Sequence, residues 1–166
     1  MPAFRPFEGA RYDCDVTGGE LHSLVAPPYD VVDDDEHAAL EAAHDCNSVR
    51  LILPRDERAD GDRYARAASV FGAWVRDGIL VVDSPARFYA YRMEYGGRHT
   101  RGVIGALGLP EPGRNDVLPH ERTLPKAKSD RLALLREMRV NVDPIWALSL
   151  GTGLTEQAER ARPLCT

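Results

Sequence analysis

The Gly96-Gly97 step constrains this chain more than any other feature. Residues 88–95 before it alternate, with Tyr89, Tyr91, Met93 and Tyr95 on one face and Phe88, Ala90, Arg92 and Glu94 on the other. Strand side chains point to opposite faces in turn, so this pattern reads as a strand. Paired glycines reach the positive φ values that a tight hairpin turn needs. Residues 100–109 therefore read as the antiparallel return strand. Gly102 and Gly105 lie within it, where a neighbour comes close to the backbone.

Helical patterns surround the hairpin. Asp33-Asp34-Asp35 looks like a metal cluster by eye, but Asp favours N-caps and first turns, and a helix from about Asp34 to His44 is expected to follow. Tyr64, Ala67, Ala68, Phe71, Trp74 and Val75 recur at helical spacing, and Gly78 ends the run. Ser129 and Asp130 read as the start of a helix over residues 131–139. The apolar run Val49-Arg50-Leu51-Ile52-Leu53-Pro54 reads as a buried strand in which Arg50 needs a partner. Further strands are expected at residues 79–82 and 145–150, and an extended arm over residues 1–13. Gly151-Thr152-Gly153 is similar to the opening of a dinucleotide fingerprint. Glu156 stands where the third glycine belongs, so a turn is the reading. The fold class is α+β (mixed α/β), a small mixed sheet with an antiparallel hairpin flanked by helices.

The chain has 166 residues and suits one globular domain with a sizeable core. A net charge of −5 argues against a general nucleic-acid coat but leaves room for a local cationic pocket. No stretch has the apolar length of a membrane span, and the N-terminus lacks a signal-peptide core. Cys14, Cys46 and Cys165 are irregularly spaced, so reduced thiols and a cytoplasmic location are expected.

The chemistry concentrates in residues 118–131. Arg122, Lys126, Lys128 and Arg131 suit an anionic ligand such as a phosphate, and a helix start supplies free N–H donors. His120 and Glu121 are groups that move protons near neutral pH when their surroundings tune them. The competing reading of this stretch is a solvated, capped loop with salt bridges. The segment Ala26-Pro27-Pro28-Tyr29-Asp30-Val31 is the second notable stretch. Its adjacent prolines fix φ twice and hold Tyr29 and Asp30 at a set angle. The competing reading here is a stiff connector. The histidines match no common zinc spacing, and there is no nucleophile elbow or P-loop; no metal or cofactor is assigned.

The order of these segments resembles the family catalogued as domain of unknown function 1015 (DUF1015). The resemblance rests on Ala26-Pro27-Pro28-Tyr29-Asp30-Val31, on Asn47 through Arg50 to Leu53-Pro54, and on Tyr64-Ala65-Arg66-Ala67-Ala68 through Trp74 and Gly78. It continues through Arg101-Gly102-Val103-Ile104-Gly105 and His120-Glu121-Arg122-Thr123 with Lys128, Asp130-Arg131 and Leu134-Leu135. Asn141 and Pro144 close it. Proteins of that family are longer, so the resemblance implies that this chain is an N-terminal part. They carry an Asp-Gly-His-His-Arg motif, which neither Asp60-Gly61-Asp62-Arg63 nor Asp77-Gly78 matches.

The family is often labelled as similar to the ParB/Spo0J partitioning group, whose superfamily includes nucleotide-binding proteins. The resemblance implies a phosphate- or nucleotide-binding module related to phosphoryl transfer; in the fuller family protein the Pro-Pro-Tyr-Asp loop and the His-Glu-Arg-Thr loop would face the Asp-Gly-His-His-Arg motif across one cleft. Arg122, Lys128 and Arg131 would neutralise phosphate, with Thr123 and Ser129 donating hydrogen bonds and Tyr29 lining the pocket. Glu121 or Asp30 would act as general base or hold a divalent cation, with His120 the alternate proton carrier. The alternatives are a ParB-like nucleic-acid or partner-binding module, which needs a continuous basic surface, and an inactive fragment.

Overall fold

The computed structural model describes residues 2–18, 21–56, 62–111, 113–119, 124–148 and 153–161. The elements run β1 (Phe4–Arg5), β2 (Ala10–Tyr12), α1 (Leu21–Leu24), α2 (Asp34–Ala43), α3 (Val49–Ile52), α4 (Arg63–Arg76), β3 (Leu80–Val82), β4 (Tyr89–Tyr95), β5 (Arg98–Ile104), β6 (Ala106–Leu107), α5 (Pro125–Met138) and α6 (Leu154–Glu159). This is the α+β class, with strands paired two by two: β1 with β6, β2 with β3, and β4 with β5. The chain divides into two compact units. One comprises Met1–Ala10, Val82–Arg122 and Ile145–Thr166, the other Arg11–Val81 and Thr123–Pro144.

The first unit is built on the hairpin. Strands β4 and β5 are antiparallel, from Tyr89 opposite Ile104 to Tyr95 opposite Arg98. Gly96 and Gly97 take φ of 55° and 74°, the left-handed values of the tight turn. The close approaches expected at the strand glycines are aromatic. A Cβ on Gly102 would lie 2.2 Å from the Tyr91 ring, and one on Gly105 would lie 2.6 Å from Phe4. The N-terminal arm runs alongside, with Phe7 bridged to Arg87. Tyr89 donates to buried Asp83 (2.9 Å) and accepts the Gly9 N–H (3.0 Å). Of the strand expected at residues 145–150, residues 145–148 have no regular structure, and residues 149 and 150 lie outside the described residues. Trp146 meets Tyr91 edge-on at 5.4 Å, but Ile145 and Leu148 are exposed. A β-forming composition without a paired edge does not make a strand.

The second unit holds the apolar core, where Leu51, Ala67, Trp74, Leu80, Leu134 and Met138 are buried together. Helix α4 supplies the stripe read from the sequence. Asp62 caps it, accepting from the Tyr64 and Ala65 amides, and Gly78 leaves it at φ 75°. Asp33 caps α2 by accepting from the Glu36 N–H (2.8 Å), which gives the acidic run a structural role.

Three local expectations are corrected here. Residues 49–52 form a helical turn, α3, not a strand: the Asn47 side chain accepts the Val49 N–H (2.9 Å), and four apolar residues fit a turn as readily as a strand. Helix α5 starts at Pro125, so Ser129 and Asp130 lie inside it and offer no free amides. Proline suits the first helical position and pushes the preceding Leu124 into extended geometry, which outweighs a Ser-Asp cap. Cys14 is disulfide-bonded, whereas Cys46 is a free thiol as expected.

Candidate anion site

The candidate site is described within the second unit. Its first component is the double-proline corner. Residues 28–31 form a turn closed by the Val31 N–H donating to Pro28 O (3.1 Å), with Tyr29 and Asp30 as the central pair. Tyr29 is half-buried and Asp30 exposed.

The chain ahead of this corner is fixed by residues 46–48. Fully buried Asn47 donates from Nδ2 to Ser23 O (2.8 Å) and Val25 O (3.4 Å). Ser48 Oγ accepts the Ala26 N–H (3.0 Å), and the Ser48 N–H donates to Leu24 O (2.7 Å). The Tyr12 hydroxyl donates to Cys46 O (2.8 Å) and Leu24 O (3.2 Å). Burial, with the field of Cys46 added, pushes that hydroxyl far above its ordinary value, so it remains a neutral donor.

The second component is α5. The guanidinium of Arg131 lies 4.0 Å from the centroid of the Tyr29 ring, a cation–π contact. Its Nη1 donates to Ile52 O (2.6 Å) and to Asp143 Oδ2 (3.0 Å), and its Nε and Nη2 donate to Asp130 Oδ2 (3.0 and 2.6 Å). Asp130 Oδ1 in turn accepts from Arg63 Nη2 and from the Tyr64 hydroxyl, both at 2.8 Å. Burial would push the Asp130 carboxyl up, but hydrogen bonds from Arg131 and Tyr64 and the fields of Arg131 and Arg63 outweigh it and hold it below the usual range.

This network sets limits on the chemistry. Arg63 and Arg131 are matched by Asp130 and Asp143, and nearly all the Arg131 donors are engaged. Lys126 and Lys128, both exposed, have no ion pair among the described residues. Ser129 is exposed and donates to Lys126 O (2.9 Å). The structure thus brings Tyr29 and Arg131 together, puts Asp30 on the same turn as Tyr29, and places Lys128 and Ser129 on the helix that carries Arg131. His120, Glu121, Arg122 and Thr123 lie outside the described residues. Among the described residues no group of three or more His, Cys, Asp or Glu is placed to hold a metal ion.

Several participants escaped the sequence reading. Tyr64 fits the apolar stripe of α4, which hides the polar role of its hydroxyl in the sequence. Arg63, Asp143 and the Ile52 carbonyl carry no local motif. Asn47 was visible as a polar residue ahead of an apolar run, the usual signal for a side chain that bonds backbone.

Residues 4–164 match the family model described as "Protein of unknown function (DUF1015)". The chain belongs to the DUF1015 family. No curated protein and no solved structure matches it. In this DUF1015 chain Tyr29 and Arg131 are the two candidate residues that the structure puts in direct contact. No helix among the described residues is long and apolar enough to cross a membrane.

Proposed function

We propose that this DUF1015 chain binds a small phosphorylated ligand, with a nucleotide the best-suited class, beside the N-terminal half of α5. The observation that carries the reading is the 4.0 Å contact between Arg131 and Tyr29, which joins the double-proline corner to the helix following residues 120–123. In this reading Arg131 positions Tyr29, because its own donors are engaged by Asp130, Asp143 and Ile52 O. Charge neutralisation then falls to Lys128 and Arg122, with Thr123 as hydroxyl donor and Ser129 joining it once its hydroxyl leaves the Lys126 carbonyl. A Tyr ring held by a guanidinium is a platform on which a base stacks. If the bound phosphate is transferred, Asp30 or Glu121 acts as base or cation ligand and His120 carries the proton.

Amide and side-chain NMR shifts on titration with ATP and, separately, with inorganic pyrophosphate test this reading. Saturable shifts are expected at Tyr29, Lys128 and Ser129 with ATP, and weaker ones at Tyr29 with pyrophosphate. Shifts confined to residues remote from Tyr29 and α5 would overturn it.

A further inference from the structure

One buried histidine has no part in the binding reading. His37 on α2 is 1% exposed. Its Nε2 lies 2.9 Å from Leu53 O, and since a carbonyl only accepts, Nε2 carries the proton there. Its Nδ1 is buried with no hydrogen-bond partner and lies 3.6 Å from Glu41 Oε2. Buried polar atoms are normally satisfied, so an orphan needs a reason.

The surroundings supply one. Glu41 is held in place by α3: Arg50 Nη1 donates to its Oε1 and Arg50 Nη2 to its backbone O, both at 3.0 Å. The other carboxylate oxygen, Oε2, faces His37 Nδ1 from 3.6 Å, just beyond hydrogen-bond reach. The remaining titratable groups nearby are otherwise engaged or exposed: Asp34 pairs with Arg55 (2.6 Å), Asp33 caps α2, His44 Nδ1 accepts the Cys46 N–H (2.9 Å), and His22 on α1 is exposed.

The acceptor for His37 and the acceptor for Arg131 are consecutive carbonyls. Leu53 O takes the His37 proton, and Ile52 O takes the 2.6 Å bond from Arg131. One turn of backbone at the end of α3 therefore ties the buried imidazole to the guanidinium that supports Tyr29.

We propose that His37 is a proton-responsive latch on the Arg131–Tyr29 contact. Taking a proton at Nδ1 turns the lone pair into a donor aimed at Glu41 Oε2. The ring then swings toward the carboxylate while Nε2–H still holds Leu53 O, and the 52–53 backbone moves with it. Arg131 follows its carbonyl, and Tyr29 follows Arg131. As regulation of the candidate site, this rests on the reading of Tyr29 as the ligand platform. The latch itself is a property of the free protein.

The test is NMR on the ligand-free chain across about pH 5 to 8, the interval in which histidine changes charge. Long-range nitrogen shifts follow the ring of His37, and proton shifts follow the ring of Tyr29. The expected result is that Tyr29 moves with the same midpoint as His37. In His37→Gln, whose amide still reaches toward Leu53 O but does not titrate, that movement is expected to be lost. A Tyr29 signal that stays constant while His37 titrates, a His37 that does not titrate in this range, or a pH response that survives His37→Gln would each overturn the latch. If His37→Gln fails to fold, the comparison of midpoints in the unaltered chain decides alone. No ligand is present, so a failure to bind ATP would count only against the proposed function.

Discussion

The Arg131 guanidinium both stacks on Tyr29 at 4.0 Å and bonds the Ile52 carbonyl at 2.6 Å. One side chain thus joins α5, the end of α3 and the double-proline corner. Lysine cannot reproduce a planar fork that bonds in several directions and stacks on a ring. Arg131→Lys is expected to lose about 2 kcal/mol, and Arg131→Ala about 3 kcal/mol or more because Asp130 and Asp143 lose a partner. Urea unfolding measures both. A lysine variant as stable as the parent would show that charge alone suffices.

Acid should weaken the same network. The folded-state value of Asp130 is depressed, so its contribution is fully present above the unfolded value, about 3.9, and is lost as pH falls through the folded value. Asp130→Asn is expected to be less stable than the parent at pH 7, with the gap closing below about pH 4. Stability curves for the two proteins against pH check the sign. A gap that widens on acidification would contradict it.

Asn47 anchors the segment ahead of the corner through both amide hydrogens and its carbonyl. Asn47→Asp would set a carboxylate against Ser23 O and Val25 O while still accepting from Val49. It is expected to lose about 2 to 3 kcal/mol, as for a buried group left badly paired. Asn47→Ala should lose a similar amount, measured by the same unfolding.

In the other unit, Gly102 is covered by Tyr91, with 2.2 Å to a Cβ built there. Gly102→Ala is expected to destabilise by about 1 to 3 kcal/mol through overpacking. Pairing it with Tyr91→Ser should recover part of that loss, because the obstructing ring is gone. Additive losses in the double variant would mean that the ring is not the obstacle.

Much of the fold was legible where one signal dominated. The hairpin followed from strict alternation before two glycines, and α4 from a six-residue apolar stripe ended by Gly78. The errors came where local signals competed. Leu124-Pro125 overrode Ser129-Asp130 as the start of α5, and Asn47 turned a strand-like run into a helical turn. At the candidate site, Tyr29 and Arg131 were named from sequence, but their contact is tertiary across a long stretch of chain. The partners of Arg131 could not be read because a backbone carbonyl and the lone carboxylate Asp143 leave no pattern in a sequence.

The most direct test of the anion site is isothermal titration calorimetry with ATP on the full chain and on Lys128→Ala and Arg122→Ala. The account predicts saturable, salt-sensitive binding that weakens about tenfold for each lost cation, near 1.4 kcal/mol apiece. Binding that is absent in the parent chain, or unchanged in both variants, would contradict it.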